Sequence, residues 1–203
     1  MTRCPTCDMI YVDEIPEDRR LHKTYHDRIV NGVPARLLKT EKVVWKNGRD
    51  RIIVVTALSP KWERVRVANV CRAANLEMHY DFGIFNEYEP IDERDIHLFI
   101  YCSGFRAIGI TILEKRTGVC YYSWEEYDNR VQKTLIEQEA IWSLGFTWIH
   151  KKHSLRGIAK ILLTEALSYL DVKLDKIGIY TPLSSDGEAF IRSISRNGFM
   201  IAK

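Results

Sequence analysis

The sequence predicts an α+β fold, a mixed β-sheet flanked by helices, preceded by a small ββα metal finger. Two observations indicate the sheet. The turn pair Asn47-Gly48 joins two β-branched runs, and strand and helix patterns alternate from residue 144 almost to the last residue. The finger is indicated by a cluster of cysteines and histidines in the first thirty residues. We therefore predict two units, residues 1–32 and 33–203.

The composition limits the class of protein. A chain of 203 residues, of which 46% are apolar, can bury one core plus at most a small appendage. The net charge of +3 does not by itself indicate nucleic acid as a partner. No apolar run approaches the length of a membrane span, so we expect no membrane partner. The odd number of cysteines, five, favours a reducing compartment, and we interpret Cys71, Cys102 and Cys120 as core thiols.

The first unit carries a complete set of metal ligands, Cys4, Cys7, His22 and His26. The two cysteines are spaced as on a tight knuckle, and the two histidines, four residues apart, share one face of a helix. Two thiolates and two imidazoles fill the tetrahedral coordination of zinc and leave no open position. We therefore predict a structural zinc ion that supplies most of the stability of this short unit.

A zinc finger raises the alternative of nucleic-acid binding. A single finger contacts only about three base pairs. Its helix also opens with Glu17 and Asp18, whose charges repel phosphate. We therefore do not expect direct sequence-specific DNA binding, and a docking or scaffold role is favoured.

The helices and strands of the finger and the first half of the sheet follow from local signals. The finger helix begins at Pro16 and ends before Gly32. The hairpin "VVWKNGRDRIIVV" follows, and Ser59-Pro60 opens a helix over about 60–78. We expect one side of that helix to be apolar, with Trp62, Val65, Ala68 and Leu76. Core packing is also predicted for Trp45, Trp62, Trp124 and Trp142.

In the second half, two strands surround Ser103-Gly104, and "LGFTWIH", "KIGIY" and "GFMIA" are further strands. Helices begin at "RGIA" and over "SDGEAFIRSISRN", whereas "YYSWEEY" is compatible with either state.

The stretch "HKKHSLRGIAKILL", residues 150–163, places a glycine between a strand and an amphipathic helix. Amides in the first turn of a helix have no internal partners and carry part of the positive end of its dipole. Gly157 lets an anion approach the main chain. Basic side chains surround it, namely His150, Lys151, Lys152, His153, Arg156 and Lys160. The pattern predicts a pyrophosphate seat, whereas a metal pair of His150 and His153 would lack a third ligand.

The segment "SLRGIA", residues 154–159, resembles the acetyl-CoA pyrophosphate loop of the GNAT acetyltransferase superfamily. Together with the finger, the hairpin leading to "RIIVV", the "SPKWERV" helix and "AIWSLGFTWIHKKHSLRGIAK", it makes the chain similar to the cohesin acetyltransferases over nearly its whole length. Those proteins pair one Cys/Cys/His/His finger with a GNAT domain that ends in a Pro-containing "DG" loop, here "TPLSSDGEAF".

The resemblance implies a GNAT-like fold that uses acetyl-CoA and acetylates a lysine on the SMC ATPase subunit of cohesin. That activity would establish sister-chromatid cohesion in the nucleus. Family members often carry an N-terminal tail that contacts the replication clamp. Only three residues precede Cys4, so a contact with chromatin or the replication machinery stays open.

The resemblance also implies which residues bind acetyl-CoA. The strand amides of Thr147, Trp148 and Ile149 would face the pantetheine and the thioester. The pyrophosphate seat would consist of Leu155, Arg156, Gly157, Ile158, Ala159 and Lys160. A further contact would come from Ser184, Ser185 and Asp186.

Acetyl transfer to lysine needs a carboxylate that accepts the proton of the amine and a donor for the developing oxyanion. The family places acids at two positions that here hold Thr164 and Thr181. Glu165, beside Thr164, lies at the border of the apolar stripe of its helix, so we predict Glu165 as the base. Asp186 is the other candidate, although an Asp in this position is often a helix cap. Thr181, at the second position where the family has an acid, is the third residue that we assign to the catalytic site.

Two alternatives remain. The substituted acids, and Ser154 where the family has Gln or Arg, also suit a GNAT fold that binds acetyl-CoA without turnover and acts as a scaffold. The other alternative is a zinc module that binds nucleic acid or protein, with an α+β domain of different function.

Overall fold

The computed structural model describes residues 1–78 and 95–202. The finger consists of the antiparallel strands β1 (Thr2–Arg3) and β2 (Ile10–Tyr11), followed by helix α1 (Pro16–Asn31). Gly32 ends the helix in a positive-φ conformation (φ 82°), and its N–H donates to the carbonyl of Arg28. The predicted ββα finger is confirmed, with the helix bounds that Pro16 and Gly32 indicated.

The sheet contains eight strands in the described ranges. They are β3 (Val33–Pro34), β4 (Lys42–Asn47), β5 (Asp50–Thr56), β6 (Ile96–Ser103), β7 (Arg106–Ser123), β8 (Ile136–Ile149), β9 (Gly178–Tyr180) and β10 (Gly198–Ala202). The helices are α2 (Lys61–Met78), α3 (Trp124–Asp128), α4 (Ile158–Leu170) and α5 (Ser185–Ile194). Short 3₁₀ turns cover Lys151–His153 and Leu174–Lys176. No helix of the described segments is long and apolar enough to cross a membrane.

The sheet is mixed, as predicted. Its strand order is β10-β9-β8-β7-β6-β5-β4, with β3 beside β7, and the successive strands from β4 to β8 are antiparallel to one another. β9 is parallel to both β8 and β10. The β8–β9 pairing is short, because Ser143 pairs with Gly178 and Leu144 with Ile179 before the strands separate. The outer edge of β8 therefore stays unpaired by β9 from Gly145 to Ile149, and we call this opening the β8–β9 gap.

Each face of the sheet has its own core, because neighbouring residues of a strand point to opposite faces. On β6, Phe99 belongs to the core on the α4 side, whereas Leu98 and Ile100 belong to the core on the α2 side. Helix α4 contributes Leu162 to the first core, and α2 contributes its valines and alanines to the second. The two buried faces explain the nearly continuous apolar runs of the central strands.

The turn of the first hairpin lies one residue later than predicted. Asn47 is still in the strand and pairs with Asp50, so the loop residues are Gly48 and Arg49. Gly48 has a φ of 56°. A glycine with positive φ in the first loop position matches a type II′ hairpin turn.

The apolar side predicted for α2 is wrong in part. Trp62 is 57% exposed and Leu76 is also exposed, whereas Ala68 is buried as expected. The buried side carries small residues and Glu63, whose carboxylate accepts a hydrogen bond from the Thr40 hydroxyl at 2.6 Å. Because this partner satisfies the acid, the helix buries Glu63 and leaves the large indole of Trp62 outside.

The other aromatic and cysteine predictions are largely confirmed. Trp124 is buried, and Trp45 and Trp142 pack against the core on the α4 side. Cys71 and Cys102 are buried, whereas Cys120 is only partly covered. The segment "YYSWEEY" divides between two elements, since β7 continues to Ser123 and α3 follows. A capping box between Ser123 and Glu126 forms that boundary.

Candidate functional site

The metal cluster of the finger brings together the four residues predicted from the sequence. One ligand atom from each of Cys4, Cys7, His22 and His26 lies within 4.8 Å of the others. The knuckle between β1 and β2 supplies the thiols, and one turn of α1 supplies the imidazoles. Cys4 Sγ and His26 Nδ1 are 3.3 Å apart. This is the donor set of a closed tetrahedral zinc site.

The electrostatics of the cluster fit a metal ion. Hydrogen bonds from the backbone N–H groups of Cys7 and Thr6 lower the pKa of Cys4 to about 5, which favours the thiolate. Burial raises the pKa of Cys7. The Nε2 atom of His22 is buried and has no hydrogen-bond partner in the described chain, as expected of a nitrogen that coordinates metal.

The loop between β8 and α4 changes its hydrogen bonding sharply at Leu155. The N–H groups of the preceding turn are paired: that of His153 donates to the carbonyl of His150 at 2.7 Å, and that of Ser154 to Lys151 at 3.3 Å. Within the described residues, the amides of 155–160 have no acceptor, and no side chain caps α4. The next amide, of Ile161, donates to the carbonyl of Gly157.

The unpaired amides form a concave anion seat. Leu155 and Gly157 both have left-handed backbones, with φ of 61° and 75°, and Arg156 lies between them. Alternating conformations of this kind turn successive N–H groups toward one point. A Cβ added at Gly157 would meet no atom within 4 Å, so the seat is open.

Basic side chains surround the seat, but His150, which the sequence predicted to be one of them, is buried. Lys151, Lys152, Arg156 and Lys160 are exposed around the loop. His150, expected to add charge, is only 2% exposed. Its Nε2 lies 2.7 Å from the carbonyl oxygen of Ile29, and its Nδ1 accepts the N–H of Lys152 at 3.2 Å. Because a carbonyl only accepts and an amide only donates, these partners require the neutral Nε2–H tautomer.

A second anchor reaches the loop from α2. The carboxylate of Glu77 accepts the N–H of Lys151 at 2.7 Å and the indole N–H of Trp148 at 3.0 Å. The sequence indicated neither this role of Glu77 nor that of His150, because their partners are 74 and 121 positions away. The two anchors hold the turn before the anion seat.

The predicted cofactor strand lies along the β8–β9 gap. Thr147, Trp148 and Ile149 pair on one side with β7, and on the other side they extend beyond the last β9 partner. Amides of an antiparallel strand point alternately to its two sides, so part of this edge offers donors to a ligand. The register with β7 shifts at Gly145, which is therefore a bulge at the head of the gap.

Three polar residues that the sequence did not indicate meet at this bulge. A Cβ on Gly145 would lie 3.3 Å from Glu114 Oε1 and 3.8 Å from the ring of Tyr180. An amino group of Arg116 lies 3.0 Å from the same Glu114 oxygen. Arg116 Nε donates to the hydroxyl oxygen of Tyr180. We call Glu114, Arg116 and Tyr180 the gap triad.

The predicted base, Glu165, is half-buried on α4, whereas Thr164 is exposed. Glu165 forms no hydrogen bond or ion pair in the described segments. Its carboxylate therefore has no partner among residues 1–78 and 95–202.

The residues after β9 lie at the same sheet edge as the anion seat, because β8 and β9 are parallel. Thr181 precedes Pro182 in a cis peptide. Ser184, not Asp186, is the N-cap of α5, since its hydroxyl accepts the N–H of Gly187 at 3.1 Å. Asp186 and Ser185 are exposed in the first turn of that helix.

Comparison with known proteins agrees with this arrangement. Residues 1–28 match the family model of the zinc-finger of acetyl-transferase ESCO. The chain is 27% identical over 174 residues to the N-acetyltransferase ESCO2 of Mus musculus, a match that covers 80% of this chain. It is 22% identical over 237 residues to the N-acetyltransferase ECO1 of Kluyveromyces lactis, across 100% of this chain and 84% of that relative.

The chain is therefore similar to the cohesin acetyltransferases, in its finger and along most of its length. The match spans 27% of the length of the mouse family member.

Solved structures of the family show the same fold. The acetyltransferase domain of xEco2 bound to a CoA conjugate has a TM-score of 0.64 and 17% identity, covering 81% of this chain and 98% of that one. A second structure of that domain has a TM-score of 0.63 and 15% identity, covering 82% and 98%. The GNAT-like mixed sheet predicted from the sequence is thereby confirmed.

Proposed function

We propose that this protein transfers the acetyl group of acetyl-CoA to a lysine side chain of another protein. The observation that carries the proposal is the run of unpaired amides at 155–160, open at Gly157 and surrounded by basic side chains. Such a seat binds a pyrophosphate through the main chain and the helix dipole. Similarity to the N-acetyltransferases ESCO2 and ECO1, and the CoA conjugate bound by the xEco2 domain, support the same cofactor.

The geometry of β8 suggests how the rest of the cofactor lies. The open edge of β8 from Gly145 to Ile149 is five residues long, roughly 17 Å, and the turn 150–154 joins it to the seat. An extended pantetheine arm spans this distance along the edge formed by Thr147, Trp148 and Ile149. The thioester then reaches the bulge at Gly145, where an unpaired strand amide can donate to the developing oxyanion. Ser184, Ser185 and Asp186 would add a contact from the neighbouring loop.

The reaction requires that the acceptor lysine lose its proton before it attacks the thioester carbonyl. In the proposed direct transfer, acetyl-CoA and the acceptor are bound together. The sequence predicts Glu165 as the proton acceptor and Asp186 as the second candidate, with Thr181 at the remaining catalytic position.

The substrate and its setting are part of the proposal. The resemblance to the cohesin acetyltransferases supports a lysine on the SMC ATPase subunit of cohesin as the target, acetylated in the nucleus to establish sister-chromatid cohesion. The zinc ion is structural in this proposal, because the four ligands leave no coordination position for a substrate. The finger would serve as a docking or scaffold element.

One observation favours a second candidate function. Thr164 and Thr181 occupy positions that hold acids in the family. A protein that binds acetyl-CoA without turnover and acts as a scaffold would share every cofactor contact described above.

Calorimetry with acetyl-CoA, followed by an acetylation assay on a cohesin ATPase-head fragment, tests the proposal. We expect binding and acetyl transfer. No binding at millimolar acetyl-CoA would reject both candidate functions, whereas binding without transfer would favour the scaffold. In the same assay, an unchanged rate for Glu165→Gln would remove Glu165 as the base.

A further inference from the structure

We propose that Glu114 is the carboxylate that receives the proton of the acceptor amine, with Arg116 and Tyr180 holding it in place. The proposal rests on the acetyltransferase function proposed above. It concerns a residue on β7 that the sequence patterns did not single out.

The position of Glu114 follows from the fold. β8 and β9 are paired through Leu144 and Ile179 and separate immediately afterwards. The missing side chain of Gly145 leaves space at this fork, and the carboxylate of Glu114 borders that space at 3.3 Å. An arm that starts at the anion seat and follows β8 brings its thioester to the same point.

The two carboxylate candidates lie on opposite faces of the sheet. Leu144 and Ile179 belong to the core on the α4 side. Glu114 follows Leu113 of the same core and therefore points to the opposite face. An acceptor lysine that enters the space beside Gly145 from the face of Glu114 meets this carboxylate, whereas Glu165 lies on α4, on the other face.

The surroundings leave Glu114 able to act. The residue is 8% exposed, so its carboxylate is shielded but still accessible at one edge. Its ion pair with Arg116 places a guanidinium beside one oxygen, at 3.0 Å. Apart from this ion pair, no N–H or O–H in the described ranges donates a hydrogen bond to the carboxylate of Glu114. An arriving ammonium group can supply that donor.

Arg116 also affects the amine. Its positive charge disfavours a second cation at the same place and so lowers the pKa of an arriving ammonium group. Arg116 Nε in turn donates to Tyr180 at the end of β9. The gap triad thereby joins β7 to β9 across β8 at Gly145 and fixes the direction of the carboxylate.

Two protons leave the acceptor nitrogen during the transfer, and each has its own acceptor. The ammonium group of the acceptor gives one proton to Glu114, and the neutral nitrogen attacks the thioester carbonyl carbon. A C–N bond forms, and the C–S bond breaks as the tetrahedral intermediate collapses. The remaining extra proton of the nitrogen passes to the departing sulfur, giving the amide and the free thiol. Glu114 then releases its proton to water.

The test uses the 203-residue chain with zinc bound and compares Glu114→Gln with a matched control, Glu41→Gln. Both glutamates are 8% exposed and paired with an arginine, but Glu41 is held by Arg66 against the segment before β4, away from the gap. We expect Glu114→Gln to lower kcat about 100-fold, with acetyl-CoA affinity changed less than twofold. Glu41→Gln should keep kcat.

The pH dependence separates a proton acceptor from a structural residue. The kcat deficit of Glu114→Gln should shrink as pH rises, because the free amine then forms without a base. A deficit that is constant with pH, or a kcat equal to wild type, would overturn the proposal.

The remaining outcomes are also decisive. Should Glu114→Gln fail to fold, Glu114→Asp retains the charge and retracts the carboxylate, and the same loss of kcat is expected. If the wild type binds acetyl-CoA, and Glu165→Gln lowers kcat whereas Glu114→Gln does not, Glu114 is excluded as the proton acceptor. The proposed function then still stands. If wild type does not bind acetyl-CoA, both proposals fail.

Discussion

The Nε2 atom of His150 lies 2.7 Å from the carbonyl oxygen of Ile29, although 121 positions separate them in the sequence. Ile29 is in the last turns of the finger helix, and His150 is the first residue after β8. Through its other nitrogen, His150 also binds the amide of Lys152 in the turn before the anion seat. The finger and the turn before the anion seat therefore share one buried side chain.

Replacement of His150 by Phe should weaken binding of CoA about tenfold. The change removes the hydrogen-bond partner of the Ile29 carbonyl and of the Lys152 amide, both partly buried, at a cost of about 1 kcal/mol each. The turn before the seat then loses its fixed geometry, which is a loss of preorganisation. Calorimetry with CoA measures the effect.

The matched variant is His150→Gln, whose side-chain amide provides one donor and one acceptor. We expect it to recover most of the affinity. Equal CoA affinity in His150→Phe and wild type would show that this anchor does not shape the seat.

Gly157→Ala should lower both stability and CoA affinity. The residue has a φ of 75°, and an alanine in this conformation costs roughly 1–2 kcal/mol. The added methyl group meets no protein atom within 4 Å, so any loss of affinity beyond the backbone strain reflects the space that the phosphates need.

The control is Gly48→Ala in the first hairpin, where φ is 56° and the space is equally open. Thermal denaturation should show comparable destabilisation for the two variants. Only Gly157→Ala should change the calorimetric affinity for CoA, and the same shift in Gly48→Ala would contradict the assignment of the seat.

Removal of zinc by a chelator should unfold the finger. Its strands have two residues each, and α1 has no buried residue, so little apolar burial remains to hold it. Hydrogen exchange of the α1 amides should become much faster. Because α1 binds His150 through Ile29, the amides of 151–154 should also exchange faster.

The comparison for this experiment is β6, whose residues 98–102 are fully or almost fully buried in the sheet. Its exchange should change little. Persistent protection of α1 after complete removal of zinc would contradict a structural role of the metal.

Gly178→Ala should destabilise the fold by about 1–3 kcal/mol through overpacking. A methyl group at this position would lie 2.5 Å from Cβ of Ala202 and 2.6 Å from Oγ of Ser143. The strand β9 is wedged between β8 and β10 at this point, so neither neighbour can move independently. Chemical denaturation measures the change.

As a reference for that variant, Gly187→Ala lies in the first turns of α5 and approaches only the hydroxyl of Ser184, at 3.1 Å. Since alanine favours helices, its effect on the free energy of unfolding should be small. A Gly178→Ala protein as stable as wild type would mean that β8 and β10 lie further apart than described.

Local chemistry determined much of this protein from its sequence. Pro16 and Gly32 predicted the bounds of the finger helix, because one residue preorganises a first turn and the other permits a positive φ after the last. The spacing of Cys4, Cys7, His22 and His26 predicted a cluster that the structure brings within 4.8 Å. The basic, glycine-containing start of α4 predicted an anion seat, whose ligand stays a prediction.

Errors arose where a local pattern competed with tertiary contacts. Trp62 resembles a core residue in sequence, but a buried partner for Glu63 on Thr40 turns the helix so that the indole faces outward. His150 resembles a charged loop residue, but its two hydrogen-bond partners bury it as a neutral ring.

The sequence by itself determined the finger, the order of the elements and the position of the basic, glycine-containing loop between β8 and α4. These features depend on neighbours within a few residues. Only the tertiary structure decided what surrounds that place. It opened the gap by ending the β8–β9 pairing at Leu144, brought Glu114 and Tyr180 to the fork, and anchored the loop on Glu77 and Ile29. Pairing register and long-range hydrogen bonds fix those contacts, and neither has a signature in local sequence.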